Sequence, residues 1–203
     1  MSATRRRAVF LDKDGTLIED VPFNVDPGRI RLAPGAERAL PLLRDAGFRL
    51  IVISNQSGVA RGMFEESALE AVRDRLFELS AEAGAPLDGF YYCPHHPEGT
   101  VARYAWSCDC RKPAPGLIRK AAEAHAIDLV ASWFVGDILD DVEAGRRAGC
   151  RTVLIDAGGE TEWRGSPRRR PDWTAGRLDE AAAFIAAASG PPSARDRIVG
   201  ARS

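Results

Sequence analysis

The chain has 203 residues, 45% of them apolar and 28% charged, and a net charge of -1. Those values suit one soluble globular domain with a sizeable core, and the near-zero charge gives no global field for nucleic acid or a membrane surface. No run reaches the roughly 18 to 20 apolar residues that a bilayer span needs, and the apolar segment nearest the start, Ala8 to Leu11, is too short for a signal peptide, so a cytoplasmic protein is expected.

Ala8-Val9-Phe10-Leu11 predicts a buried parallel strand. A Pro- and Asp-rich loop follows from Glu19 to Pro34. Ala36, Ala39, Leu40, Leu42 and Leu43 form a helical stripe, predicting a helix from Gly35 to Ala46 that Gly47 stops. Phe48 to Ile53 is the second strand, Glu65 to Ala83 a long helix ended by Gly84, and Gly89 to Tyr92 a short strand. Residues 93–113 have no clear period, and an irregular stretch of that length in a compact domain is expected to be functional or stapled. Helices follow at Pro115 to His125, Val142 to Ala148 and Leu178 to Ala188, with strands at Trp133 to Val135 and Thr152 to Ile155. Residues 190–203 read as a frayed tail, which leaves 1–189 as a single domain with an irregular loop at 93–110. Strand and helix alternate throughout, so the expected fold is α/β, a Rossmann-like doubly wound parallel sheet without a large cap domain. In such sheets ligands bind at the carboxyl ends of the strands.

Every candidate chemical motif falls at such an end or in a loop on that side. Asp12 and Asp14 follow the first strand, and neighbouring buried carboxylates are costly unless a cation or hydrogen bonds compensate them. A hard divalent metal is the natural compensator. Ser54-Asn55 follows the second strand and leads into Gln56-Ser57-Gly58, a hydroxyl and backbone N–H groups suited to cradle a phosphate. Lys112, between Arg111 and Pro113, is held extended by the proline. Gly136-Asp137 ends a further strand, with Asp140 and Asp141 close by. Taken singly these are a strand-end turn, a cap and a surface lysine. Together they form one ordered constellation. Arg5-Arg6-Arg7 and Arg168-Arg169-Arg170 are either solvated segments or a patch that draws in an anionic substrate, and His125 and Cys150 read as structural.

Cys93-Pro94-His95 and Cys108-Asp109-Cys110 supply four soft or borderline ligands in a loop that needs a staple. In a reducing compartment such clustering points to metal rather than to disulfides, and a Cys₃His set has no open position for chemistry, as in structural Zn²⁺ sites. Reduced thiols with an exposed histidine are the plainer alternative, and His96 is the alternative fourth ligand.

The run Asp12-Lys13-Asp14-Gly15-Thr16, then Ser54, Lys112 and Gly136-Asp137-Ile138-Leu139-Asp140-Asp141, resembles the four motifs of the haloacid dehalogenase-like hydrolases, specifically their phosphatases. The resemblance implies a Mg²⁺-dependent phosphomonoester hydrolase in which Asp12 is the nucleophile and forms an aspartyl-phosphate. Asp14 would be the general acid and base. Asp12, the Asp14 carbonyl and Asp137 would hold Mg²⁺, while Ser54 and Lys112 would bind the transferring phosphoryl oxygens. Asp141 would orient Lys112 or the metal waters, a role Asp140 would also suit.

Asn55-Gln56-Ser57-Gly58-Val59-Ala60-Arg61-Gly62 and the Cys/His loop are similar to the branch of that family that removes the 7-phosphate of D-glycero-D-manno-heptose 1,7-bisphosphate. On this reading Asn55, Arg61 and Arg111 contact substrate, the two arginines taking the second phosphate. Glu19, Pro22 and Phe23 are closer to histidinol-phosphate phosphatases, where an acidic group meets the substrate amine. The expected partner is thus a small phosphorylated sugar or amino alcohol, with no nucleic acid and no membrane, and the chain is expected to be a monomer. A zinc-stapled binding domain without catalysis is the reading from another class.

Overall fold

Four successive apolar residues without solvent exposure, Ala8–Leu11, form β1 at the centre of a six-stranded sheet. The computed structural model describes residues 6–161 and 163–190, so the expected tail from 191 onward lies outside the described residues. The remaining strands are β2 (Arg49–Asn55), β3 (Gly89–Cys93), β4 (Trp133–Gly136), β5 (Arg151–Ile155) and β6 (Trp173–Ala175). The helices are α1 (Ala36–Asp45), α2 (Ala68–Glu82), α3 (Gly116–Ala124), α4 (Leu139–Ala148) and α5 (Leu178–Ser189). The spatial order is β3-β2-β1-β4-β5-β6, and every pairing is parallel.

Strand side chains alternate between the two faces. Val9, Leu11, Leu50, Val52, Trp133 and Val135 pack with α1, α2 and α5 on one side. Ala8, Phe10, Ile51, Ile53 and Phe134 pack with α3 and with Ala144 of α4 on the other. Burial on both faces is why the strands are unbroken apolar runs rather than alternating ones.

From β1 the chain first adds β2 and β3 on one side, then returns to add β4, β5 and β6 on the other. The order therefore reverses between β1 and β4, and the crevice of a doubly wound sheet opens at their carboxyl ends. Their register puts Leu11 opposite Val135, and the Asp12 N–H donates to the Val135 carbonyl at 2.9 Å. The first residues after the two strands are thereby brought side by side.

Several element bounds differ from the sequence pattern, α2 for instance beginning at Ala68 rather than Glu65. Helix α4 begins at Leu139, before the expected Val142, because the Asp141 carboxylate accepts the Ile138 N–H at 3.3 Å and caps the first turn. Strand β2 continues through Ser54 and Asn55. Strand β6 was not expected; its three residues pair with β5 at the edge of the sheet. Only loops and 3-10 turns connect β1 to α1 and β3 to α3, which leaves no large cap, and no helix among the described residues is long and apolar enough to cross a membrane.

Candidate active site

Asp12 leaves β1 into a tight turn in which Leu17 N–H and Ile18 N–H both donate to the Lys13 carbonyl. Gly15 makes that turn possible. Its φ is +77°, and a Cβ there would lie 2.3 Å from Asp137 Oδ2, so any side chain would both strain the backbone and displace Asp137.

At the crevice Asp12, Asp137 and Asp141 are buried, and each brings a carboxylate oxygen within 4.8 Å of the others. Lys112, also buried, is the cation among them. Its Nζ donates to Asp12 Oδ1, lies 2.6 Å from Asp141 Oδ1 and donates to the Ile53 carbonyl at 3.3 Å. Burial alone would lower the lysine's affinity for its proton, but the Asp12 and Asp141 charges outweigh it and hold the ammonium charged. One ammonium does not balance three carboxylates. Burial, with the Asp12 and Asp141 charges behind it, pushes Asp137 up to about 8. Burial likewise pushes Asp141 up to about 7 against the pull of Lys112. A buried, oxygen-only cluster with this excess of negative charge fits a hard divalent cation such as Mg²⁺.

Asp14 stands apart from that cluster. Its Oδ1 meets Lys13 Nζ at 2.5 Å and its Oδ2 accepts from Gln56 Nε2 at 3.4 Å. Burial raises its pKa, the Asp12 charge adds to this, and Lys13 opposes it. Such a carboxyl holds its proton longer than a free one, as an acid catalyst must.

Ser54, buried at the end of β2, accepts from Gln56 Nε2 at 2.7 Å, so Gln56 bridges Ser54 and Asp14. Gln56 lies in the phosphate-cradle motif, where the sequence pattern assigns it no role of its own. Its spacing of two from Ser54 at a strand end, which points both side chains the same way, was the available signal. The N–H groups of Ser57 and Gly58 have no partner among the described residues, which leaves them free to face an anion. Asn55 is engaged with protein: its Nδ2 donates to the Lys112 carbonyl at 3.2 Å and its Oδ1 accepts the Lys112 N–H at 3.0 Å.

A pocket of about 190 Å³ opens over these groups, lined by Lys13, Asp14 and residues 55–58 on one side and by Asp20, Pro22, Phe23 and Asn24 on the other. The rim carboxylate is therefore Asp20; Glu19, the residue singled out from the sequence, is exposed and does not line the pocket. Phe23 holds a positive φ of 56°, unusual for a bulky residue, and stays half exposed at the lip. Arg61 is exposed with Nη2 3.1 Å from His96 Nε2, and Arg111 is partly buried with Nη1 3.5 Å from the His95 carbonyl. Neither lines this pocket. Of the two acids left open, Asp141 meets Lys112, whereas Asp140 pairs outward with Arg169 at 2.6 Å.

Beside the crevice, Cys93, His95, Cys108 and Cys110 gather with all four donor atoms within 4.8 Å. The three sulfurs stand 3.1 to 3.4 Å apart, and His95 Nδ1 lies 3.4 Å from Cys110 Sγ and 3.6 Å from Cys93 Sγ. The separations are far beyond a disulfide bond, and all the cysteines are free. They approximate the edges of a small tetrahedron, and the soft donor set fits Zn²⁺. His96 is outside this group, its Nδ1 accepting the Glu98 N–H at 3.1 Å. The Gln56 N–H donates to the Cys93 carbonyl at 2.8 Å, which ties the phosphate turn to the cluster.

A family model described as HAD-hydrolase-like matches residues 109–181. The relatives named D-glycero-beta-D-manno-heptose-1,7-bisphosphate 7-phosphatase from Escherichia coli (strain K12) and from Yersinia pestis are 41% and 40% identical over 152 residues. The match covers 74% of this chain and 80% and 81% of theirs. A putative HAD-like phosphatase from Mesorhizobium loti superposes with a TM-score of 0.80 at 34% identity, over 94% of this chain and 90% of that one. The D,D-heptose 1,7-bisphosphate phosphatase of B. bronchiseptica, solved with magnesium and phosphate, superposes with a TM-score of 0.70 at 30% identity, over 88% and 97%.

Proposed function

Because this chain belongs to the haloacid dehalogenase-like phosphatases, we propose that it removes the 7-phosphate of D-glycero-β-D-manno-heptose 1,7-bisphosphate through an aspartyl-phosphate. The observation that carries the reading is the meeting of Asp12, Asp137, Asp141 and Lys112 beside a small pocket that Asp14 and residues 55–58 line.

Asp12 Oδ attacks phosphorus and the bond to the sugar O7 breaks. Asp14 gives its proton to the departing alkoxide, then takes one from the water that attacks the phosphoryl group and restores Asp12. Its raised pKa supports the first of these roles. Lys112, Ser54 and the N–H groups of Ser57 and Gly58 hold the transferring oxygens, and Asp141 keeps Lys112 in place. Asp12, Asp137 and the Asp14 carbonyl would hold Mg²⁺. When bound, Mg²⁺ neutralises the carboxylates enough for an anionic phosphate to approach. Cys93, His95, Cys108 and Cys110 would hold a structural Zn²⁺. Arg61 and Arg111, which stand outside the small pocket, would take the distal second phosphate, a charge-assisted contact that a bisphosphate needs.

Asp20 on the pocket rim favours a second reading, an amino alcohol phosphate such as histidinol phosphate, whose cation it would pair with. Phosphate release from the two substrates, side by side with Mg²⁺, separates them. The expected result is a kcat/KM about tenfold or more in favour of the bisphosphate. Preference for histidinol phosphate would overturn the heptose assignment and make Asp20 the discriminating group.

A further inference from the structure

The sheet edge does not account for the arginines on the helical side of the molecule. Arg119 of α3, Arg146 and Arg147 of α4, and Arg168 of the 3-10 turn Pro167–Arg169 converge with Pro115 around an open cavity of about 510 Å³. We propose that this basin is a second anion site, for a small ligand carrying two or more phosphoryl groups.

The charge balance supports a ligand. Arg147 pairs with Glu143 at 2.5 Å, Arg146 with Asp172 at 3.1 Å, and the adjacent Arg169 with both Glu143 and Asp140. Five guanidiniums thus share three carboxylates, a local excess of positive charge in a chain whose net charge is -1. The surplus lies on two residues. Arg119 meets only a neutral partner, the Arg147 carbonyl at 3.2 Å, and Arg168 makes no hydrogen bond or ion pair among the described residues. Arg119 and Arg168 thus bring charge without a carboxylate partner to the same cavity that the paired Arg146 and Arg147 line.

Arginine's planar fork matches phosphate oxygens in pairs, and several forks around one cavity exceed what a single phosphate can satisfy. A diphosphate or longer chain offers enough acceptors. The site is for binding rather than turnover, since the carboxylates beside it are all engaged with arginines and none of Asp12, Asp14, Ser54, Lys112 or Asp137 lines it.

Inorganic pyrophosphate, titrated calorimetrically into zinc-replete protein without Mg²⁺, tests the proposal, with orthophosphate and a single-stranded oligonucleotide as comparators. Pyrophosphate should bind, and more tightly than either comparator. Arg119→Ala/Arg168→Ala should weaken it about tenfold or more, while Mg²⁺-dependent hydrolysis of an aryl phosphate stays within about twofold. That hydrolysis is also the check on folding; if the double variant fails it, Arg168→Gln alone, at an exposed position, should still weaken pyrophosphate binding. Absence of binding, or equal binding by wild type and the folded variant, would overturn the site. Equal affinity for orthophosphate would overturn the requirement for two phosphoryl groups, and tighter oligonucleotide binding lost in the variant would overturn the small ligand.

Discussion

The Asn55 amide grips the backbone of Lys112 from both sides, donating to its carbonyl at 3.2 Å and accepting its N–H at 3.0 Å. The lysine comes from an irregular loop, so this clamp ties its backbone to the end of β2, while its ammonium reaches the sheet directly at the Ile53 carbonyl. Two hydrogen bonds at about 1 kcal/mol each are lost in Asn55→Ala, and kcat for an aryl phosphate should fall about tenfold or more with little change in KM. A kcat equal to that of the wild type would mean that the ion pairs to Asp12 and Asp141 hold the lysine unaided.

Asp12→Asn keeps the shape of the side chain and its place beside the Val135 carbonyl, so the fold should survive. Turnover should drop on the order of ten-thousand-fold, because an amide does not attack phosphorus. Phosphate release, with circular dichroism as the check on folding, decides this. Activity near that of the parent enzyme would remove Asp12 from the role of nucleophile.

The raised carboxyl pKa values give stability a direction with pH. Asp137, pushed up to about 8, and Asp141, pushed up to about 7, keep protons in the native state that the unfolded chain has already lost above about 4. The native state therefore binds more protons across that window. Their contribution is intact at its acid end and is lost as pH rises through 7 and 8. Without Mg²⁺, the melting temperature should be higher near about pH 6 than near about pH 8.5, and saturating Mg²⁺ should raise it most at the alkaline end. A Mg²⁺ effect independent of pH would show that the ion does not engage these carboxylates.

Cys108→Ser takes one donor from the Cys/His cluster. A structural zinc can contribute on the order of 10 kcal/mol of folding free energy, so the melting temperature should fall steeply, and activity should follow through Lys112. Zinc content measured on the purified protein should drop from one equivalent per chain. If a zinc-depleted wild-type sample melts as the replete one does, the staple is not structural.

Much of the fold and the ligand spacing was legible because it is local and periodic. An unbroken apolar run such as Ala8 to Leu11 is what a strand buried on both faces requires, and Cys-x-His with Cys-x-Cys is legible as a candidate donor set from its spacing alone. What escaped depends on tertiary contact. Strand β6 has three residues and exists through its pairing with β5. The start of α4 was hidden because its cap is a carboxylate inside the helix behind Ile138, not a Ser or Thr ahead of it. The rim acid moved from Glu19 to Asp20 because irregular loops have no period from which facing can be read.

Lys112 stands two residues beyond Cys110, and the Gln56 N–H rests on the Cys93 carbonyl. The Lys112 backbone and the turn at residues 55–58 are therefore both joined to the Cys/His cluster, while the buried carboxylates form a separate, oxygen-only group. With zinc in the one and magnesium in the other, a cell short of zinc would lose this phosphatase even with magnesium in plenty, and the shortage would register as less enzyme rather than as slower enzyme.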